Sequence, residues 1–183
     1  MKTILYTTLL FIIALGSTGC MKKLTPFTQG LYQQNNWSDE DLRRIQFYLS
    51  RDIVLQRGLT SGSSEIASGR VRVVDGRQIE EVVIRKGTPG VFLFRPGDSG
   101  NNFAVAFEDG DDTRFLMFGP NPKQGNRYNL LAREWKDGRG QITYDSRTYY
   151  TTTQSAMATL MVDLRRIRNY EKESRRVRGR KVQ

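Results

Sequence analysis

Between Asp52 and Asp163, short apolar and β-branched runs return about every ten residues, each cut off by turn formers. That is the rhythm of antiparallel strands. Ile53-Val54-Leu55 opens the series. Arg70-Val71-Arg72-Val73-Val74 alternates polar and apolar, meets Asp75-Gly76 and returns through Ile79 to Ile84, which predicts a hairpin. Thr88-Pro89-Gly90 turns into residues 91–94, Pro96-Gly97-Asp98-Ser99-Gly100 into 103–107, and Asp109-Gly110-Asp111 into 115–118. Residues 128–135 and 141–150 pair around Asp137-Gly138, and 156–162 close the series. About nine such strands predict a mainly β domain over 37–164, an antiparallel barrel or sandwich. Residues 91–94 and 115–118 are apolar throughout, as expected of central strands or strands covered by a helix.

Ahead of the strands the period changes. Ser38 is a good N-cap, Asp41 stands three residues on as in a capping box, and Asp39 and Glu40 suit the positive end of a helix dipole. Leu42, Ile45 and Leu49 then share one face, which predicts a helix ending near Ser50. Trp37, just before the cap, is placed to staple that helix onto the domain. Residues 20–36, with Lys22, Lys23, Pro26, Gly30 and the polar run Gln33-Gln34-Asn35-Asn36, have no period and read as a tether.

Charge changes the picture at the C-terminus. The chain carries a formal +10, and 165–183 alone hold nine cations against Glu171 and Glu173. The cations Arg165, Arg166, Arg168, Arg175, Arg176, Arg178, Arg180 and Lys181 are the candidate polyanion-binding residues. Leu164, Ile167 and Tyr170 are spaced to start a helix, and beyond Ser174 the tail is expected to be disordered or partner-dependent.

The N-terminus supplies the sharpest chemistry. Lys2 precedes an apolar stretch over 4–15 that is too short for a membrane span. Small residues Ser17, Thr18 and Gly19 then lead to Cys20, the only cysteine. This stretch resembles the lipobox of bacterial lipoproteins. The resemblance implies that 1–19 are a signal peptide, cleaved between Gly19 and Cys20, and that Cys20 carries a diacylglycerol and an acylated amine. The whole layout is similar to that of small Bacteroidota lipoproteins. Lys22 and Lys23, and the lack of an aspartate at position 21, then imply the outer membrane, lipid-anchored on its periplasmic face.

With Cys20 acylated, no thiol is left for a disulfide, and the chain has no histidine. Serine–histidine, cysteine–histidine and most zinc chemistry are thereby excluded. Gly97-Asp98-Ser99-Gly100 looks like a serine-protease nucleophile but lacks its base, and reads as a turn. Glu108, Asp109, Asp111 and Asp112 lack the spacing of an EF-hand, and Asp-Gly turn geometry accounts for them. Glu80, Glu81 and Glu134 are the carboxylates open to glycosidase-type chemistry, with exposed strand charges the simpler reading. Tyr128, Trp135, Tyr144, Tyr149 and Tyr150 read first as core or cross-strand pairs, with a glycan-binding face or a cavity lining as the alternatives.

The expected function is that of a non-enzymatic docking or structural component of an envelope assembly, such as a secretion or transport machine. Its partners would be the membrane through the lipid, an envelope protein, and an anionic lipid or glycan at the basic tail, with no nucleic acid. No cofactor is expected beyond the covalent lipid. The alternative is a carrier or sensor holding a small apolar ligand in a β-barrel; an enzyme using carboxylates alone ranks last. Lipid would mark one end of the chain and cations the other, with the β-domain between.

Overall fold

A computed structural model of the chain describes residues 23–59, 70–74, 77–97, 101–110 and 113–174. Within these, the fold is mainly β, with thirteen strands in two antiparallel sheets that do not close into a barrel and so form a sandwich. The seven-stranded sheet runs, in spatial order, β1 (Thr25–Pro26), β13 (Leu160–Val162), β2 (Phe47–Leu49), β6 (Pro89–Phe94), β7 (Phe103–Ala106), β8 (Phe115–Asn121) and β9 (Arg127–Leu130). It curls until β9 meets the chain beside β1 and β13, but only through the isolated bridges Thr28–Arg127 and Asn129–Thr159. The six-stranded sheet runs β10 (Glu134–Lys136), β11 (Arg139–Tyr144), β12 (Arg147–Thr152), β3 (Ile53–Gly58), β5 (Arg77–Ile84) and β4 (Arg70–Val74).

Alternation along the strands builds one core between the sheets. Ile53, Leu55, Val82, Ile84, Ile142 and Tyr149 face it from one side, and Phe92, Phe103, Val105, Leu116, Phe118 and Tyr128 from the other. Rings fill its centre. Phe27 lies 4.9 Å from Tyr128, 5.2 Å from Phe47 and 5.7 Å from Phe103, centroid to centroid.

Four elements depart from expectation. The tether is part of the fold from Thr25 onward. β1 pairs with β13, Phe27 is fully buried, and α1 (Gln29–Asn35) follows, capped by Thr28. The fully buried Phe27 seats this otherwise polar stretch, with Leu31 and Tyr32 of α1 packed against the core beside it. The helix begins as expected, with a complete Ser38–Asp41 capping box, but α2 (Asp39–Arg44) ends well before Ser50. Phe47, Tyr48 and Leu49 extend instead as β2, pairing with β13 and β6, which buries all three. Residues 128–135 are not one strand. They divide into β9 and β10, which belong to different sheets, and 141–150 form their own hairpin about Asp145-Ser146, both at positive φ. Finally, α3 (Thr153–Ala156) precedes β13, so only 160–162 of the last predicted strand are extended.

β6 and β8 are interior strands, but a helix does not cover them throughout. Val91 and Phe94 are exposed on the outer face of β6. At the C-terminus, α4 (Leu164–Ser174) is helical as the spacing of Leu164 and Ile167 predicts, and both pack against the core.

Candidate functional site

Two surfaces stand out, one cationic and one apolar. The cationic one is built where the two ends of the described chain meet. β1 and β13 run antiparallel, with Thr25 opposite Val162. Lys23 comes in two residues before Thr25, and α4 starts two residues after Val162. The stretch from Lys23 into β1 and the start of the basic helix therefore share one end of the domain.

Arg165, Arg166 and Arg168 are exposed on α4. Arg165 is tied to Asp163, whose Oδ1 accepts its backbone N–H at 3.0 Å and lies 3.8 Å from its Nε as an ion pair. Beside them a shallow groove of about 910 Å³ is lined by Thr25, Pro26, Leu31, Met157 and Leu164, and by three further cations, Arg51, Lys123 and Arg127. All three are exposed, and none has a carboxylate partner among the described residues. Asp52, next to Arg51, is occupied by the Lys86 amide at 2.7 Å. Sequence reading missed this trio because Arg51, before β3, is far along the chain from Lys123 and Arg127, in and just after the link between β8 and β9, and only the sheet brings the two places together. Of the predicted site residues, Gly19, Cys20, Arg175, Arg176, Arg178, Arg180 and Lys181 lie outside the described residues, as do residues 1–18.

The apolar surface is the outer face of β6–β8. Registers Val91–Ala106–Phe115 and Phe94–Ala104–Met117 put six apolar residues side by side there. Phe94 and Phe115 meet edge-on at 5.2 Å, and Val91 and Phe94 are 46% and 39% exposed. Ala106, Phe115 and Met117 are half-buried and Ala104 is fully buried, so Val91 and Phe94 are the exposed members of the row; exposed apolar surface marks interaction sites.

The candidate chemical residues are otherwise engaged. Glu80 is fully buried, not an exposed strand charge, and meets Arg57 at 2.5 Å. Glu81 accepts from Gln56 and Arg72, both at 2.9 Å, and these two contacts hold its carboxyl below the usual range. Being adjacent on β5, the two carboxylates point to opposite faces. Glu134 is exposed on the edge strand β10. Glu108 accepts from the Tyr144 hydroxyl and lies 3.8 Å from Arg114; Asp111 and Asp112 are outside the described residues, as are Asp98 and Ser99. Among the described residues no group of three or more acids is placed to hold a metal, and no helix is long and apolar enough to cross a membrane. Tyr128, Tyr144 and Tyr149 are core residues, while Trp135 and Tyr150 are exposed. Compared with known proteins, the chain matches no family model, no curated protein and no solved structure, so its own residues carry the functional argument.

Proposed function

We propose that this protein is a non-enzymatic envelope lipoprotein, anchored through Cys20 on the periplasmic face of the outer membrane, that docks a protein partner of an envelope assembly. The observation that carries the docking role is the pair of exposed apolar side chains Val91 and Phe94, flanked by half-buried Ala106 and Phe115, on a domain whose interior is filled by aromatic rings. A carrier of a small apolar ligand needs a lined cavity. Here the rings of Phe27, Phe103 and Tyr128 occupy the middle of the core. The pairing and burial of Glu80 and Glu81 likewise favour a structural over a catalytic use of those carboxylates.

Two measurements test this reading. Fractionation of cells carrying Cys20→Ala is expected to release a folded domain from the membrane; unchanged retention defeats the anchor. Photo-crosslinking from a position on β6, in native envelopes, is expected to give a discrete adduct that Phe94→Glu abolishes. An adduct pattern indifferent to that substitution defeats the docking face.

A further inference from the structure

We infer that the groove carrying Arg51, Lys123 and Arg127, together with Arg165, Arg166 and Arg168 of α4, is a seat for anionic lipid headgroups of the same leaflet that holds the anchor. This rests on the anchor reading and adds a second contact to it. The distance argument is covalent. Thr25 lines the groove and lies five residues from Cys20. Five residues span at most about 18 Å when fully extended. A lipid on Cys20 therefore holds the groove no farther than about that distance from the headgroups and lets it settle within one Debye length, about 8 Å, where surface charge acts. Any soluble polyanion would have to compete with a charged plane that is permanently at hand.

Charge complementarity decides the occupant. Three cations line the groove and three more stand on α4, which begins at its rim with Leu164; the acids next to them are engaged, Asp163 by Arg165 and Asp52 by the Lys86 amide. The apolar members Leu164 and Met157 suit the boundary between phosphate and acyl chain, where arginine and lysine stems also lie along apolar surface. Membrane-proximal cations bind lipid phosphate through charge more than shape, which a wide, shallow groove permits.

The test uses the lipidated full chain, purified from envelopes, with Met157→Cys as its single free thiol. Met157 is 46% exposed and lines the groove, so it accepts an environment-sensitive dye. The protein is placed in phosphatidylcholine vesicles, with or without phosphatidylglycerol, containing headgroup spin-labelled lipid. The dye is expected to be quenched in the anionic vesicles and much less in the zwitterionic ones. Arg51→Glu, Lys123→Glu and Arg127→Glu together should reduce that quenching at least about five-fold, roughly the worth of one cation near such a surface. These residues are exposed, and unchanged circular dichroism would confirm that the variant is folded. Quenching that is absent, equal in both vesicles or untouched by the reversals overturns the headgroup seat while flotation with phosphatidylcholine vesicles persists. Loss of flotation itself overturns the anchor and this inference with it.

Discussion

Glu80 is buried inside the sandwich, and Arg57 reaches it from the neighbouring strand, with the Arg57 guanidinium also 5.8 Å above the Tyr149 ring. Removing one partner of a buried pair takes away the other's countercharge. Arg57→Ala is therefore expected to cost about 3 kcal/mol, the low end for such pairs since Arg57 keeps some solvent contact, as read by urea unfolding. The titration of the core can also be signed. Burial, first among the causes, pushes the Tyr128, Tyr144 and Tyr149 phenols up from 10.0. Their stabilising effect is complete below about pH 10 and is lost as pH rises further, because only the unfolded chain ionises readily. In an alkaline absorbance titration, these three should titrate after the exposed tyrosines. Asp41 and Glu81 have the opposite sign. Their hydrogen bonds lower them from 3.8 and 4.5, so their contribution is present above those values and is lost as pH falls through them. None of this was legible in the sequence at Glu80. One acid among alternating strand residues looks the same whether its strand is at the surface or opposite a second sheet.

At the scale of elements, what could be read depended on how far away the partner lay. The Ser38 capping box and the hairpin between β4 and β5 are local, and both are found. β2 was misread as helix because Leu42, Ile45 and Leu49 fit a helical face, whereas its true partners, β13 and β6, are far along the chain. The Asp145-Ser146 turn was missed because Ser is a rare choice at positive φ. Arg114, 3.3 Å from the Asp145 carboxylate, helps to hold it. The first stretch after residue 23 was missed for a related reason: its polar composition hides a single decisive ring. Phe27→Ala should cost about 3–5 kcal/mol, the usual range for a buried phenylalanine. Deleting residues 21–36 should destabilise the domain at least as much, measured by thermal unfolding. A flexible tether would lose nothing in either experiment.

For the molecule as a whole, both sheets share one core, so they should melt together. The two tryptophans allow a direct check. Trp37 is buried and stacks on Phe27 at 5.9 Å, beside the seven-stranded sheet, while Trp135 is exposed on the far edge of the other. Variants with Trp37 alone or Trp135 alone are expected to show coincident denaturation midpoints; a gap between them would mean two units. The mainly β, antiparallel class was legible from strand rhythm, while the sandwich follows only from how the two sheets pair. The candidate surfaces were not legible, because each exists only through lateral pairing: the cationic groove between Arg51 and the start of β9, the apolar face across β6, β7 and β8. The basic helix was legible as a helix, but its position beside the incoming N-terminal stretch followed only from the two residue pairs that join β1 to β13.

That short pairing has a mechanical consequence. A pull on the residues before Lys23 reaches the domain through Thr25 and Pro26, which hold to Val162 and Met161 at the end of an antiparallel ladder. Tension there separates the pairs one after another instead of loading them together, so the join yields at low force. Behind it, the Phe27 ring is wedged among Tyr128, Phe47 and Phe103 and acts as a stop. If that end is tethered, the domain has a short, weak length of slack in series with a firm catch. A pull on the domain would then first draw out a few ångströms of strand and leave the sandwich intact.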